Sequence, residues 1–116
     1  MTIRYKNQGF KQADTNLNTV LTCPTDATLI VKSIYCSNND ASSAIQVNAS
    51  LVDTSASSVE YEFFRDDVAA KSQVNASPQG INLEAGDIIK IQAATGSNKI
   101  QGVISYAQID RSQENG

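Results

Sequence analysis

The sequence predicts an all-β fold, an antiparallel, jelly-roll-like β-sandwich of about eight strands with an extended N-terminal arm. From Asn16 onward, apolar and polar residues alternate with a period of two, which is typical of strands that bury one face. Clusters of turn-forming residues interrupt this alternation at short intervals. No stretch follows the helical period of about 3.6 residues.

The first three strands follow directly from these patterns. Leu17 to Cys23 is rich in β-forming residues and is stopped by Pro24. Thr28 to Asn38 is apolar on both faces, which predicts a central strand. Its two expected faces are Leu29, Val31, Ser33 and Tyr35 on one side, and Ile30, Lys32, Ile34 and Cys36 on the other. Ile45 to Leu51 alternates most clearly, so we expect one face in the core and one in water.

The second half of the chain continues in the same way. Val59 to Phe64 alternates and is expected to end at the charged run Arg65-Asp66-Asp67. Val68 to Val74 is predicted as a weaker, polar edge strand. The last three predicted strands are Ile81 to Leu83, Ile88 to Ala93 and Lys99 to Asp110, the first two joined by a tight turn, Glu84-Ala85-Gly86-Asp87. Gly86 supplies the positive φ that such turns require.

The 116 residues fit one domain with one core. Residues 1–14 have Ile3, Tyr5 and Phe10 as their only large apolar groups, too few to order the segment by burial. We therefore expect three parts: an arm at 1–14, a sandwich at 15–110 and a polar C-terminal tail at 111–116. The arm is expected to dock on another surface through Arg4, Tyr5, Lys6, Phe10 and Lys11, because aromatic and basic residues dominate such contacts.

Composition argues against several functional classes. The chain contains no histidine, which removes Ser-His and Cys-His nucleophiles and histidine-bound zinc. A net charge of −3 argues against direct nucleic-acid binding. No apolar run reaches the length of a membrane span or of a secretory signal. We expect a protein that is made and kept inside a cell, or carried out by something else, with no catalytic residues, cofactor or metal.

Other candidate sites have simpler explanations. Asp66-Asp67, with Glu60 and Glu62, could pair carboxylates for glycoside hydrolysis, but Glu60 and Glu62 alternate with core positions and so face solvent. The loops 38–40 and 53–55 offer oxygen ligands for calcium without the spacing of a dedicated calcium loop. Turn formation explains their Asn and Asp residues. Asn48 and Asn75 match the glycosylation pattern, and the abundance of Asn and Ser makes chance matches the better account.

Cys23 and Cys36 are the two cysteines of the chain. A disulfide scaffold or a zinc site would need more such residues. We interpret both as buried small apolar residues, with a bridge between neighbouring strands as the open alternative.

Two stretches resemble small structural proteins of tailed-bacteriophage virions, particularly those of cyanobacterial and marine phages. The residues that carry the resemblance are Arg4-Tyr5-Lys6-Asn7-Gln8-Gly9, Asn18 to Pro24 and Leu29 to Asn38 in the first stretch, and Leu83-Glu84-Ala85-Gly86-Asp87-Ile88-Ile89-Lys90-Ile91 in the second. The resemblance implies a non-enzymatic β-sandwich present in many copies on a particle. It offers no catalytic motif to transfer, and the chain departs from it at Cys23 and Cys36.

The resemblance leads to a functional expectation. A capsid cement or decoration protein would stabilise the shell by burying area across subunit boundaries. Its partners would be the major capsid protein or other virion proteins and further copies of itself, with a trimer preferred, and without direct nucleic-acid or membrane contact. It would be located in the virion, assembled in the host cytoplasm. The alternatives are a tail component or a receptor-binding or carbohydrate-binding module, and a carboxylate-only hydrolase is the third class.

Overall fold

The computed structural model describes residues 2–110, which form nine β-strands in two antiparallel sheets. The strands are β1 (Thr2–Lys11), β2 (Asn18–Thr22), β3 (Ala27–Asn38), β4 (Ile45–Asp53), β5 (Val59–Val68), β6 (Gln73–Asn75), β7 (Ile81–Leu83), β8 (Ile88–Ala93) and β9 (Ile100–Asp110). A single 3-10 turn, Thr54–Ala56, follows β4. The predicted tail at 111–116 lies outside the described residues.

The strand order is that of a jelly roll. The five-stranded sheet runs β1-β9-β3, and β6 and β7 both pair with β3. The four-stranded sheet runs β2-β8-β4-β5. If β6 and β7 are taken as one interrupted strand, eight strands form two interleaved Greek keys, which is the jelly-roll arrangement. The predicted all-β, antiparallel sandwich is confirmed.

The core lies between the two sheets and consists of the inward-facing side chains of alternate positions. Its largest fully buried apolar members are Leu29, Val31, Ile34, Val47, Val68, Leu83, Ile89, Ile91, Ile100 and Ile104. All ten come from the predicted strands, because period-two alternation identifies strands through the side chains that they bury. At about 25 cal/mol per Å² of apolar surface, this burial is the main stabilising contribution to the fold.

The N-terminal segment differs from the expectation of a separate arm. Residues 2–11 form β1, which pairs with β9 along its whole length, from Thr2 opposite Asp110 to Lys11 opposite Gln101. Only Thr2 and Phe10 of the strand are partly buried. The strand is held by backbone hydrogen bonds, so its side chains show no apolar alternation. The sandwich therefore begins at residue 2 and not at residue 15.

A β-bulge changes the faces that we expected for β3. The register with β9 shifts between Val31 and Ser33, so the residue between them has no direct partner and the alternation reverses. Leu29, Val31, Ile34 and Cys36 all face the core. Ile30 and Tyr35 therefore share the outer face, although the simple alternation places them on opposite faces.

The last polar stretches also differ in detail. The predicted strand Val68 to Val74 is only partly correct: Val68 ends β5, residues 69–72 are not in a strand, and only Gln73 and Val74 belong to β6. The acidic run Arg65-Asp66-Asp67 does not end β5, which continues to Val68. An edge strand can accommodate these charges because its side chains reach solvent on both faces.

Candidate interaction surface

An apolar patch covers the outer face of the five-stranded sheet. Seven large apolar side chains are exposed within residues 2–110, and five of them lie on this one face: Ile3, Tyr5, Ile30, Tyr35 and Val103. These five residues are called the apolar patch below. Single exposed apolar residues are ordinary, but a concentration of them on one face is typical of an interaction surface.

The register of the sheet divides the patch into two groups on the same face, Ile3, Tyr5 and Ile30 on one side and Tyr35 and Val103 on the other, separated by the polar row Asn7, Ser105 and Ser33. Tyr5 of β1 lies opposite Ala107 of β9, which lies opposite Ile30 of β3. Val103 lies opposite Tyr35 in the same way. Because directly opposed residues of an antiparallel sheet share a face, three strands contribute side chains to one surface. The Nζ atom of Lys32 lies 5.0 Å from the centroid of the Tyr5 ring, so a cation covers part of this aromatic side chain.

The five predicted arm residues occupy three different settings. Tyr5, at 77% exposure, belongs to the apolar patch, and Lys11 is exposed at the end of β1. Arg4 forms an ion pair with Asp110, with 3.1 Å between Nη2 and Oδ2. Lys6 donates a hydrogen bond from Nζ to Oε1 of Gln108 at 3.4 Å. The structure does not bring these side chains together as one binding site.

Phe10 serves its own chain. Its ring packs on the core at Gly102, the residue directly opposite in β9. A Cβ atom at Gly102 would overlap the carbonyl oxygen of Tyr35 and the Phe10 ring, so glycine is required there. Phe10 is therefore an internal anchor for β1 and not the exposed contact that we expected.

Asp110 lies beside Arg4 at the start of β1. Its carboxylate accepts a hydrogen bond from Nε2 of Gln108 at 2.8 Å. This bond, followed by the charge of Arg4, holds the pKa of Asp110 below its ordinary value. Burial acts in the opposite direction. The carboxylate is thus anionic at neutral pH and fixes one end of β1 to β9.

Of the carboxylates considered for hydrolysis, Glu60, Asp66 and Asp67 are exposed on β5, whereas Glu62 and the acids of the two loops have local partners. Glu62 accepts two hydrogen bonds from Arg65, at 2.8 and 3.1 Å. Asp53 accepts from the backbone N–H and the hydroxyl of Ser55. Asp40 accepts from the backbone N–H groups of Ser42 and Ser43, which hold its pKa below the usual value. The two loops therefore use their acids to form turns.

Both cysteines are buried thiols, as the first interpretation expected. Burial raises the pKa of the Cys36 thiol to about 12. The Sγ atom of Cys23 lies 3.3 Å from the carbonyl oxygen of Ala27, to which its S–H donates. A neutral, enclosed thiol is a poor nucleophile and a poor metal ligand.

Residues 2–110 have neither of two further features. They contain no cluster of three or more Cys, Asp or Glu residues placed to hold a metal ion. Within the same range, no helix has the length and apolar character needed to cross a membrane.

The sequence does not predict four of the five patch residues as interaction residues: Ile3, Ile30, Tyr35 and Val103. The alternation of β3 contained a signal, because both of its faces are apolar. From this signal we expected a central strand of the sheet, with both apolar faces covered. The strand is central, but one of its faces is open to solvent.

Comparisons with known proteins identify the fold. No protein-family model and no curated protein sequence matches the chain. A chain in the acidic stable capsid structure of Helicobacter pylori bacteriophage KHP30 matches with a TM-score of 0.58 at 13% identity, over 93% of this chain and 87% of that one. A Bacillus endospore appendage protein, from a family of disulfide-linked pili, matches at 0.48 and 10%, over 92% and 86%. The infectious bursal disease virus Gx strain structure matches at 0.49 and 8%, over 91% and 31%. At these identities the first match shows a shared jelly-roll fold.

Proposed function

We propose that this chain is a non-enzymatic structural protein of a tailed-phage virion, and that it reinforces the capsid shell as a cement or decoration protein. The apolar patch carries the proposal, because it places five of the seven exposed large apolar side chains of residues 2–110 on one face, where another protein can dock. The sequence resemblance supports a phage virion, and the fold shared with a chain of a phage capsid structure agrees with it.

The proposed protein acts by strengthening contacts between shell subunits and not by chemistry. A specific protein contact buries about 1,200–2,000 Å² in total, and the apolar patch would supply its centre. Aromatic residues dominate such centres, so Tyr5 and Tyr35 are the expected hot spots. The major capsid protein is the partner that we propose, and a symmetric shell would repeat the contact many times.

The test uses a matched pair of variants of the full chain. Ile30→Ser/Tyr35→Ser removes two patch residues that are 40% and 46% exposed, whereas Val59→Ser/Tyr61→Ser removes two residues of β5 that are 43% and 52% exposed. Each purified protein is mixed with shells of the parent phage that lack this chain, and bound protein is measured by sedimentation. Electron microscopy then locates it on the particle.

We expect the wild type and the β5 variant to decorate the shell. The patch variant should bind at least about tenfold more weakly, which corresponds to about 1.4 kcal/mol. If the patch variant bound the shell as tightly as the wild type, the proposal that the apolar patch is the docking face would be wrong. Location on the tail, or no binding by the wild type, would contradict the cement role.

A carbohydrate-binding module is the competing proposal, because exposed aromatic rings can stack on sugars. Tyr5 and Tyr35 are exposed on one face, which favours it. However, the ammonium group of Lys32 lies over the Tyr5 ring. Reproducible binding to one sugar class on a glycan array, lost in Tyr35→Ser, would support this alternative over the cement role.

A further inference from the structure

The sandwich has two long edge strands, β1 in the five-stranded sheet and β5 in the four-stranded sheet. Each is ten residues long. Within residues 2–110, β1 pairs only with β9, and β5 pairs only with β4. Each edge therefore directs backbone N–H and C=O groups away from its own sheet, where another strand can pair with them.

The two edges carry opposite charge. β1 contains Arg4, Lys6 and Lys11 and no acidic residue, which gives a net charge of +3. β5 contains four acidic residues and one basic residue, which gives a net charge of −3; they are Glu60, Glu62, Asp66, Asp67 and Arg65. These strands are called the basic edge and the acidic edge below.

Local ion pairs neutralise only part of this charge. Arg4 is paired with Asp110, and Glu62 is paired with Arg65. Lys6 contacts the neutral amide of Gln108, and Lys11 is exposed. The acidic edge keeps three further exposed acids: Glu60, Asp66 and Asp67. The contrast between the two edges therefore persists after the internal pairs are counted.

The edges lie on opposite sides of the molecule. The strand orders place β1 beside β2, and β1 and β2 are in contact. At the other side β5 approaches β3, where Nδ2 of Asn38 donates to the carbonyl oxygen of Val68 at 2.9 Å. One copy can therefore use both edges at once, each toward a different neighbour.

We propose that a second copy of this chain docks edge to edge, with the basic edge of one copy pairing as an added strand on the acidic edge of the next. Like charges oppose the pairing of two basic edges or of two acidic edges, so only the mixed contact is attractive. Such a head-to-tail contact closes into a ring or grows as a filament.

The spacing of charges allows the two edges to pair, for instance in the antiparallel orientation. Arg4 and Lys6 are two residues apart on β1, and Glu60 and Glu62 are two residues apart on a regular part of β5. Residues two apart share a face of a strand. One register therefore sets Arg4 opposite Glu62 and Lys6 opposite Glu60. This inference concerns contacts between copies and does not depend on the proposed capsid partner.

Charge reversal on each edge provides the test. Lys6→Glu/Lys11→Glu makes both edges acidic, and Glu60→Lys/Asp67→Lys makes both edges basic. The matched control for the first variant, Lys71→Glu/Lys90→Glu, changes the net charge equally at positions outside the two edges. Sedimentation measures the average mass of each protein over a concentration series at low and high salt, with circular dichroism to confirm folding.

We expect the wild type and the control to exceed the monomer mass of 12.4 kDa at low salt and to dissociate at high salt, where the screening length falls from about 10 Å to about 3 Å. Each reversed variant alone should remain monomeric. An equal mixture of the two should associate again, because every contact in it joins opposite charges.

A monomeric wild type at low salt would overturn the inference. So would association of either reversed variant alone, or a mixture that stays monomeric. Association lost in Ile30→Ser/Tyr35→Ser but kept in the reversed variants would assign self-association to the apolar patch instead. Failure to decorate shells, with edge pairing intact in solution, would count against the proposed function alone.

Discussion

The buried carboxylate of Asp87 joins two segments that are far apart in the sequence. Its Oδ1 accepts hydrogen bonds from the backbone N–H and hydroxyl of Thr54, and its Oδ2 accepts from the N–H of Glu84. Gly86, with a φ of +85°, closes the same turn. The turn Glu84-Ala85-Gly86-Asp87 therefore also holds the start of the 3-10 turn that follows β4.

We expect Asp87→Ala to lower the free energy of unfolding by about 2 kcal/mol, because it leaves the part-buried N–H groups of Thr54 and Glu84 without their acceptor. Asp53→Ala removes an exposed cap of the 3-10 turn and should cost about 1 kcal/mol. Urea denaturation followed by circular dichroism measures both. Equal losses in the two variants would contradict the role assigned to Asp87, and Asp87→Asn serves as the milder change if the alanine variant does not fold.

The cysteines should be unreactive in the folded protein. Because burial raises the pKa of Cys36 to about 12, its reactive thiolate is scarce at pH 8. We expect iodoacetamide to leave both thiols unmodified in the native protein and to alkylate both in urea, as measured by mass spectrometry. Rapid alkylation of the native protein at either position would show that the thiol is accessible.

The interaction residues show what a sequence can and cannot indicate at this scale. Tyr5 was predicted as a contact residue because it is one of few large apolar groups in a basic segment. Ile30 and Tyr35 were missed because alternation marks two apolar faces without indicating which one is covered. Which face of β3 is covered depends on the position of the four-stranded sheet. This sheet covers only the face that bears Leu29 and Val31.

At the scale of elements, the strands that could be predicted are those that bury alternate side chains. β4 and β8 follow the sequence pattern closely, and both lie in the interior of the four-stranded sheet. β1 was missed because it buries little and is defined by its backbone pairing with β9. The bulge in β3 was missed because one inserted residue reverses the faces without changing the composition.

β1 should depend on Phe10 for its attachment. We expect Phe10→Ala to speed amide hydrogen exchange in residues 2–11 by at least tenfold while leaving β3 and β8 protected, because the ring is the main packing contact of the strand. Tyr5→Ala, which removes an exposed ring, is the control. Unchanged exchange in β1, or faster exchange throughout the sandwich, would contradict a local anchoring role.

At the scale of the whole molecule, the topology joins the two ends of the described chain. β1 pairs with β9, and β9 pairs with β3, so the five-stranded sheet forms only after distant segments meet. The sequence predicted the sandwich because layers of amphipathic strands have few stable arrangements. The sequence pattern does not predict the order of the strands in each sheet, because that order depends on pairing between distant segments of the chain.

This topology predicts slow, cooperative folding. Closing long loops costs entropy before the contacts form, so we expect folding times of about milliseconds to seconds. Stopped-flow circular dichroism and tyrosine fluorescence should report the same single-exponential phase. Folding within microseconds would contradict a rate limited by long-range strand pairing, and different time courses from the two probes would contradict a single cooperative step.

Most side chains of β1 are exposed to solvent, which affects how the sequence of such a protein can diversify. Because the main chain and the Phe10 ring hold this strand, the exposed positions between residues 3 and 9, other than Arg4 and Lys6 with their contacts to β9, can change without disturbing the core. Variants that differ only at these positions would therefore share one fold but differ in self-association. In a mixture, each variant would assemble with its own copies and not with the others.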